Sequence, residues 1–296
     1  MILTYHDIVP DHSDPERCLH ANAITVGAFS RHLSWLRRRY QFVSIAEYLA
    51  ANPPGKTGKT RCVSLTFDDG GGATFEHLFP LLQKQQIPAT IFVATAHLET
   101  TELLWFNYLR ALYCEHPYEL VSVGKHRIPF RNRRQRDSAR ALINQCARAS
   151  GDPVLFSREL QKRYPVSDAV IGNYRGMTFE QLRLAAACPL IEIGAHTVNH
   201  PFLSDLPVTG QRVEIQESRR ILRELTGRPV PYFAYPSTDY SRETINLVKN
   251  AGYVAAFALA PRRISHEPRF EIRRTGVYSS SLLALRAKAF LAAHAG

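Results

Sequence analysis

The strongest constraint on the fold is a rhythm in which short, almost wholly apolar runs alternate with helical segments and stop at polar clusters. The run Cys62-Val63-Ser64-Leu65-Thr66-Phe67 ends abruptly at Asp68-Asp69-Gly70-Gly71-Gly72. Residues 73–86 then place Phe75, Leu78, Phe79 and Leu82 on one helix face, with Pro80 expected to perturb the helix. ATIFVA, residues 89–94, is the next run. Strand, helix, strand at this spacing predicts parallel strands joined by helical crossovers, since runs without polar alternation are buried on both faces.

The same rhythm extends in both directions. Ile2-Leu3-Thr4-Tyr5 ends at His6-Asp7, and Thr25 can cap a helix over 25–36 on which Phe29, Leu33 and Leu36 share a face. Phe42-Val43-Ser44-Ile45 is a further short run, and Pro53-Pro54-Gly55 marks a loop. Later, helices are expected over 178–187, 213–225 and 242–251, and strands over 190–194, 232–235 and 253–259. Between Glu99 and Met177 the rhythm lapses into an Arg-rich, helical stretch, strongest at 103–112 and 136–148. The expectation is an α/β fold: a (β/α) barrel of about seven strands, one domain over 1–296, with a helical insertion at about 99–177 capping one side.

A 45% hydrophobic and 21% charged chain of 296 residues can bury a sizeable core, which excludes disorder and disulfide miniproteins. The five cysteines (Cys18, Cys62, Cys114, Cys146, Cys188) are odd in number and form no CxxC pair, as in a reducing compartment. MILTYHDIVP has neither a charged leader nor a long apolar stretch, and no run approaches the roughly 18 apolar residues of a spanning helix. No transmembrane segment and a cytoplasmic location are therefore expected. The net charge of +11 admits an anionic partner. Part of it sits in the insertion, at Arg131, Arg133, Arg134 and Arg136, either as a solvated face or as a grip on an anionic glycan, nucleotide sugar or lipid-diphosphate carrier. Since the excess avoids the motif loops, nucleic acid is not expected. Trp105, Phe106 and Tyr108 suit either sugar stacking or the core.

Three polar clusters follow strand ends, where parallel α/β folds place their chemistry. In Thr66-Phe67-Asp68-Asp69-Gly70, two adjacent carboxylates need a cation or hydrogen bonds to separate their roles, with a surface turn or helix N-cap as the alternative. His196-Thr197-Val198-Asn199-His200 spaces two imidazoles for one ion if it turns helically. With Asp69 this makes two histidines and a carboxylate, with positions open for water and substrate. Tyr232-Phe233-Ala234-Tyr235-Pro236-Ser237 ends in backbone amides, at Ser237 and Thr238, suited to an oxyanion.

The ordered set TFDDG (66–70), HTVNH (196–200) and YFAYPS (232–237) resembles the polysaccharide deacetylase family, carbohydrate esterase family 4, over roughly 1–95 and 178–275. The resemblance implies a distorted (β/α) barrel, a divalent metal and hydrolysis of N-acetyl (or O-acetyl) groups on carbohydrate. The metal is usually zinc, with Co2+, Ni2+ or Mn2+ as alternatives. It implies Asp69, His196 and His200 as metal ligands, Asp68 as general base toward a water activated at the metal, and the Ser237 amide as oxyanion donor. Tyr235 and Pro236 are expected substrate contacts. The family's third motif often carries an arginine that orients the base; Ala234 stands there, and Arg273 or its neighbour Arg274 is the expected replacement. The late Leu-x-His and Asp-x-x-Asp-Trp motifs are also missing, which leaves His6, ahead of His266, as acid or substrate contact. Three rivals share these residues: an amidohydrolase on a non-sugar cyclic amide or ureide, a non-haem iron oxygenase, and a catalytically weakened glycan-binding protein.

Overall fold

A computed structural model describes residues 1–11, 22–51, 61–114 and 118–294; Cys18 and the Pro53-Pro54-Gly55 loop lie outside these. Its main sheet is parallel throughout. Six strands, β1 (Ile2–Tyr5), β2 (Cys62–Phe67), β3 (Ala89–Val93), β4 (Ile191–Ala195), β5 (Tyr232–Ala234) and β6 (Ala255–Ala258), follow one another in spatial as in chain order. The seventh, β7, is broken into Ile272–Arg273, which pairs with β6, and Thr275–Gly276, which pairs with β1. The sheet thus curls into a nearly closed barrel whose seam lies at Arg274.

Burial explains the absence of alternation in these runs. β1, β3 and β6 are buried at every position, enclosed by helices outside and by the barrel interior within. The helices form where caps and apolar faces predict them. The Thr25 hydroxyl accepts from the Ala28 amide to start Val26–Arg37, and Thr178 and Gln181 make a reciprocal capping box on Phe179–Ala187. Gly72–Gln85 continues through Pro80 as a single helix.

Register brings the motifs to one rim. Tyr5 is level with Phe67, Phe67 with Ile91, and Val93 with Ala195. His6, Asp68 and His196 are the next residues after these strand ends, so all three leave the barrel at the same mouth.

The insertion is built from helices Trp105–Cys114, Arg133–Ala149, Pro153–Arg163 and Asp168–Tyr174 around an apolar cluster of its own. It also contains an antiparallel hairpin, Leu120–Val123 with His126–Pro129, which its helical tone did not suggest. Ion pairs bind it to the barrel: Arg110 to Asp7, and Arg148 to Asp205 at 3.0 Å and to Asp239 at 3.4 Å.

Candidate metal centre and active site

After β2 the chain turns sharply. Asp69 has φ 76° and Gly70 φ 79°, both left-handed. A Cβ on Gly70 would lie 2.9 Å from Val93 Cγ1, so the turn requires glycine on two counts. Asp68 and Asp69 consequently point into one space with different partners. Asp68 is buried and receives both terminal nitrogens of Arg274, at 2.6 and 2.7 Å. Burial alone would raise its pKa, but the Arg274 charge reverses this and lowers it to about 2. Asp68 is therefore held as a carboxylate.

Asp69 is the opposite case. Its Oδ1 is buried with no hydrogen-bond partner, and burial together with the Asp68 charge pushes it well above the carboxylate range. The Nε2 atoms of His196 and His200 each stand 3.7 Å from that oxygen. His196 Nδ1 donates to the Ala234 carbonyl at 2.8 Å, which turns its Nε2 lone pair inward. Burial lowers His196 to about 4 and His200 well below the usual imidazole range, so both rings are neutral, as ligands must be. Three ligand atoms within 4.8 Å of one another, one an orphaned carboxylate oxygen, fit a divalent cation.

The histidines do not meet through a helix. Residues 196–200 form a bent loop in which Thr197 and His200 have φ 68° and 55°. Glu214, from helix Val208–Thr226, accepts from the Val198 and Asn199 amides at 2.8 and 2.9 Å and fixes that loop. Trp105 Nε1 donates to the His200 carbonyl at 2.9 Å, and the Phe106 ring packs on the His200 ring at 4.5 Å. Those two aromatics thus brace a ligand, and Tyr108 is wholly in the insertion core.

Asp68, Asp69, His196 and His200 line a cavity of about 400 Å3 together with His6, Ser237 and Arg274. The insertion forms its opposite wall, with Phe106, Arg110, Tyr113 and Arg140. His6 Nε2 is 4.0 Å from Asp68 Oδ2, and burial lowers its pKa. Ser237 adopts φ 52° and lines the cavity, while the next amide, Thr238, is taken by the Tyr235 carbonyl.

Several expected site residues stand elsewhere. Arg273 is exposed and does not reach the cavity, because alternation along β7 turns it outward and its neighbour inward. Arg274 meets the base instead. Tyr235 borders the cavity but is 2% exposed, stacked on Tyr240 at 4.3 Å with its hydroxyl committed to the Phe270 carbonyl. Pro236 is buried and does not line the cavity, so neither residue offers a free polar group to substrate. His266 is exposed and away from it. Arg131 and Arg134 are exposed, with Arg131 3.3 Å from Glu119, so the insertion arginines at the cavity are Arg110 and Arg140.

One residue near the metal ligands escaped the sequence reading. His97 is 1% exposed and donates from Nε2 to the Asp69 carbonyl at 2.9 Å, pinning the left-handed turn. It lies four residues past the end of β3, so the strand-end rule that found His196 would have reached it. Glu214 lies in mid-helix, where no local signal marks it.

A family model described as polysaccharide deacetylase matches residues 55–141 and 161–256, more than half of the chain. The chain belongs to the polysaccharide deacetylase family. A poly-β-1,6-N-acetyl-D-glucosamine N-deacetylase of Staphylococcus epidermidis is 26% identical over 158 residues, 52% of this chain and 54% of that protein. A putative polysaccharide deacetylase of Bacillus subtilis is 21% identical over 81% of this chain and 60% of its own length. The chain thus spans little more than half of these relatives. Two solved structures share the fold over nearly their whole length. IcaB from Ammonifex degensii has TM-score 0.61 at 20% identity, covering 98% of this chain and 96% of its own. The Streptococcus pyogenes deacetylase PplD, in complex with acetate, has TM-score 0.59 at 18% identity, covering 96% of each.

Proposed function

We propose that this chain hydrolyses the N-acetyl group of an acetylated carbohydrate, using a divalent metal held by Asp69, His196 and His200. The observation that carries the reading is the division of labour within Asp68-Asp69. Arg274 holds one carboxylate ionised, while its neighbour presents an unpaired oxygen to two neutral imidazoles. The named N-deacetylase activity of the staphylococcal relative supports the amide as the bond cut.

A divalent cation at that position, with zinc the first choice, supplies Lewis acidity to the acetyl carbonyl and lowers the pKa of water. Asp68 accepts the proton of the attacking water on its carboxylate. The Ser237 N–H donates to the carbonyl oxygen as it gains charge. His6, whose Nε2 lies 4.0 Å from Asp68 Oδ2, carries that proton on to the leaving nitrogen. A reducing, cytoplasmic setting remains part of the proposal; among the described residues Cys62, Cys146 and Cys188 are free.

The test is acetate release from N-acetylated oligosaccharides by protein stripped with chelator and reloaded with Zn2+, Co2+, Ni2+ or Mn2+. Turnover that returns with metal and is lost in Asp68→Asn is expected. Full turnover in the stripped protein, or in Asp68→Asn with metal bound, overturns the proposal.

A further inference from the structure

We infer that the cavity wall supplied by the insertion is an anion subsite, so that the acetylated sugar taken here carries a carboxylate or phosphate close to the acetamido group. The inference rests on the hydrolytic reading above and adds the charge class of its substrate.

The argument begins with the fixed charges around the cavity. Arg274 is offset by Asp68 in a bidentate pair. Arg110 is held by Asp7 and by Asn107 Oδ1 at 3.1 Å, so its charge too is matched. Asp69 is outweighed by any divalent cation that binds it. Arg140 remains: it lines the same cavity, and among the described residues no carboxylate pairs with it. With metal bound the chamber is therefore net positive, and one guanidinium in it has unused donors.

The backbone that carries Arg140 is set by packing. Arg140 belongs to helix Arg133–Ala149, and Tyr113, on helix Trp105–Cys114, directs its hydroxyl to Asn144 Oδ1 at 3.4 Å and to the Arg140 carbonyl at 3.5 Å. The two helices meet at the cavity, with Arg140 and Arg110 on the wall they share. A planar, permanently charged fork matches carboxylate and phosphate oxygens two at a time. A neutral glycan would leave Arg140 unanswered, and a glycan with free amines would be repelled by the chamber.

Three probes separate the cases with the zinc-loaded protein: hyaluronan tetrasaccharide (carboxylate), N-acetylglucosamine 1-phosphate (phosphate) and chitotetraose (neutral). The readout is kcat/KM for acetate release from each, for wild type and Arg140→Gln. Wild type is expected to prefer one anionic probe over chitotetraose, and the better of the two identifies the group recognised. Arg140→Gln should cut that preference about tenfold, the scale of one charge-assisted hydrogen bond, mainly through KM. Rising salt should cut it as well. A wild-type preference for chitotetraose over both anionic probes, or an unchanged preference in Arg140→Gln, overturns the subsite while leaving the hydrolytic reading standing. Acetate release from none of the three overturns the hydrolytic reading and the subsite with it.

Discussion

Removal of the Arg274 guanidinium should do more than weaken one contact, because it leaves a carboxylate stranded. In Arg274→Met the apolar stem survives and keeps its place near the Phe92 ring, over which the guanidinium now lies at 5.0 Å. The two bonds to Asp68 and the 3.2 Å bond to Thr66 Oγ1 disappear. Both partners are almost inaccessible, with side-chain exposures of 1% and 3%, so water cannot replace what is lost. Breaking such a pair from one side costs about 3–5 kcal/mol. Two charge-assisted bonds at about 1.5–3 kcal/mol each give about 3–6 kcal/mol, an overlapping range. At roughly 2–4 °C per kcal/mol, the melting temperature of the metal-free protein should fall on the order of 10 °C. The pH dependence has a definite sign. The folded pKa of Asp68 is depressed to about 2 from 3.8, so the pair stabilises the fold above pH 3.8 and loses its effect as pH falls toward 2. The gap between wild type and Arg274→Met should therefore be widest near neutrality and narrow in acid. Denaturant unfolding of the chelated proteins at pH 7 and pH 2.5 measures it. The double variant Asp68→Asn/Arg274→Met, with no stranded charge, should lose less than the two single changes together. A change below about 1 kcal/mol, equal at both pH values and additive in the double variant, would refute the reasoning.

Other consequences follow from the same geometry. Asp69→Ala and His196→Ala should lose metal by elemental analysis and with it the thermal stabilisation metal confers, whereas Asp68→Asn should keep the metal and lose about 10²–10⁴ in kcat. Removal of the bond to the Asp69 carbonyl in His97→Leu should weaken metal binding about 10–100-fold by calorimetry, with His97→Gln, which can still donate, closer to wild type. His32 is buried, and loss of hydration pushes its pKa down from 6.5 to about 4. The folded form prefers the neutral ring, so stability is full above pH 6.5 and declines below it; His32→Leu should flatten the slope of melting temperature between pH 6.5 and 4.5.

The four residues at the centre of the site were legible because chain order and local chemistry suffice to find them. A buried parallel strand reads as an apolar run, and whatever polar residues interrupt its C-terminal end are delivered to the barrel mouth. Asp68, Asp69, His196 and His200 all announce themselves in that way. The arginine beside the base did not, since Arg273 and Arg274 are chemically identical and adjacent. The choice between them depends on which side of β7 faces inward, a property of the seam where that strand passes from β6 to β1. Tyr235, which borders the cavity with its hydroxyl committed elsewhere, and buried Pro236 depend on a related matter: a residue just past a strand end can point into the core as easily as into the cavity, and only packing decides.

The sequence by itself determined the strand–helix rhythm, the strand ends that carry the chemistry and the candidate metal ligands, because period, polarity and strand ends are local properties. Tertiary structure alone decided which arginine meets Asp68, and it bent 196–200 into a braced loop where a helical turn was the expectation. It also turned Arg140, and not the exposed Arg131 and Arg134, to the cavity. Each of these depends on surfaces brought together from distant parts of the chain: the closure of a barrel, a glutamate on a later helix, and the packing of an insertion against the mouth. No local pattern of residues encodes such meetings, so they become visible only when the chain has folded.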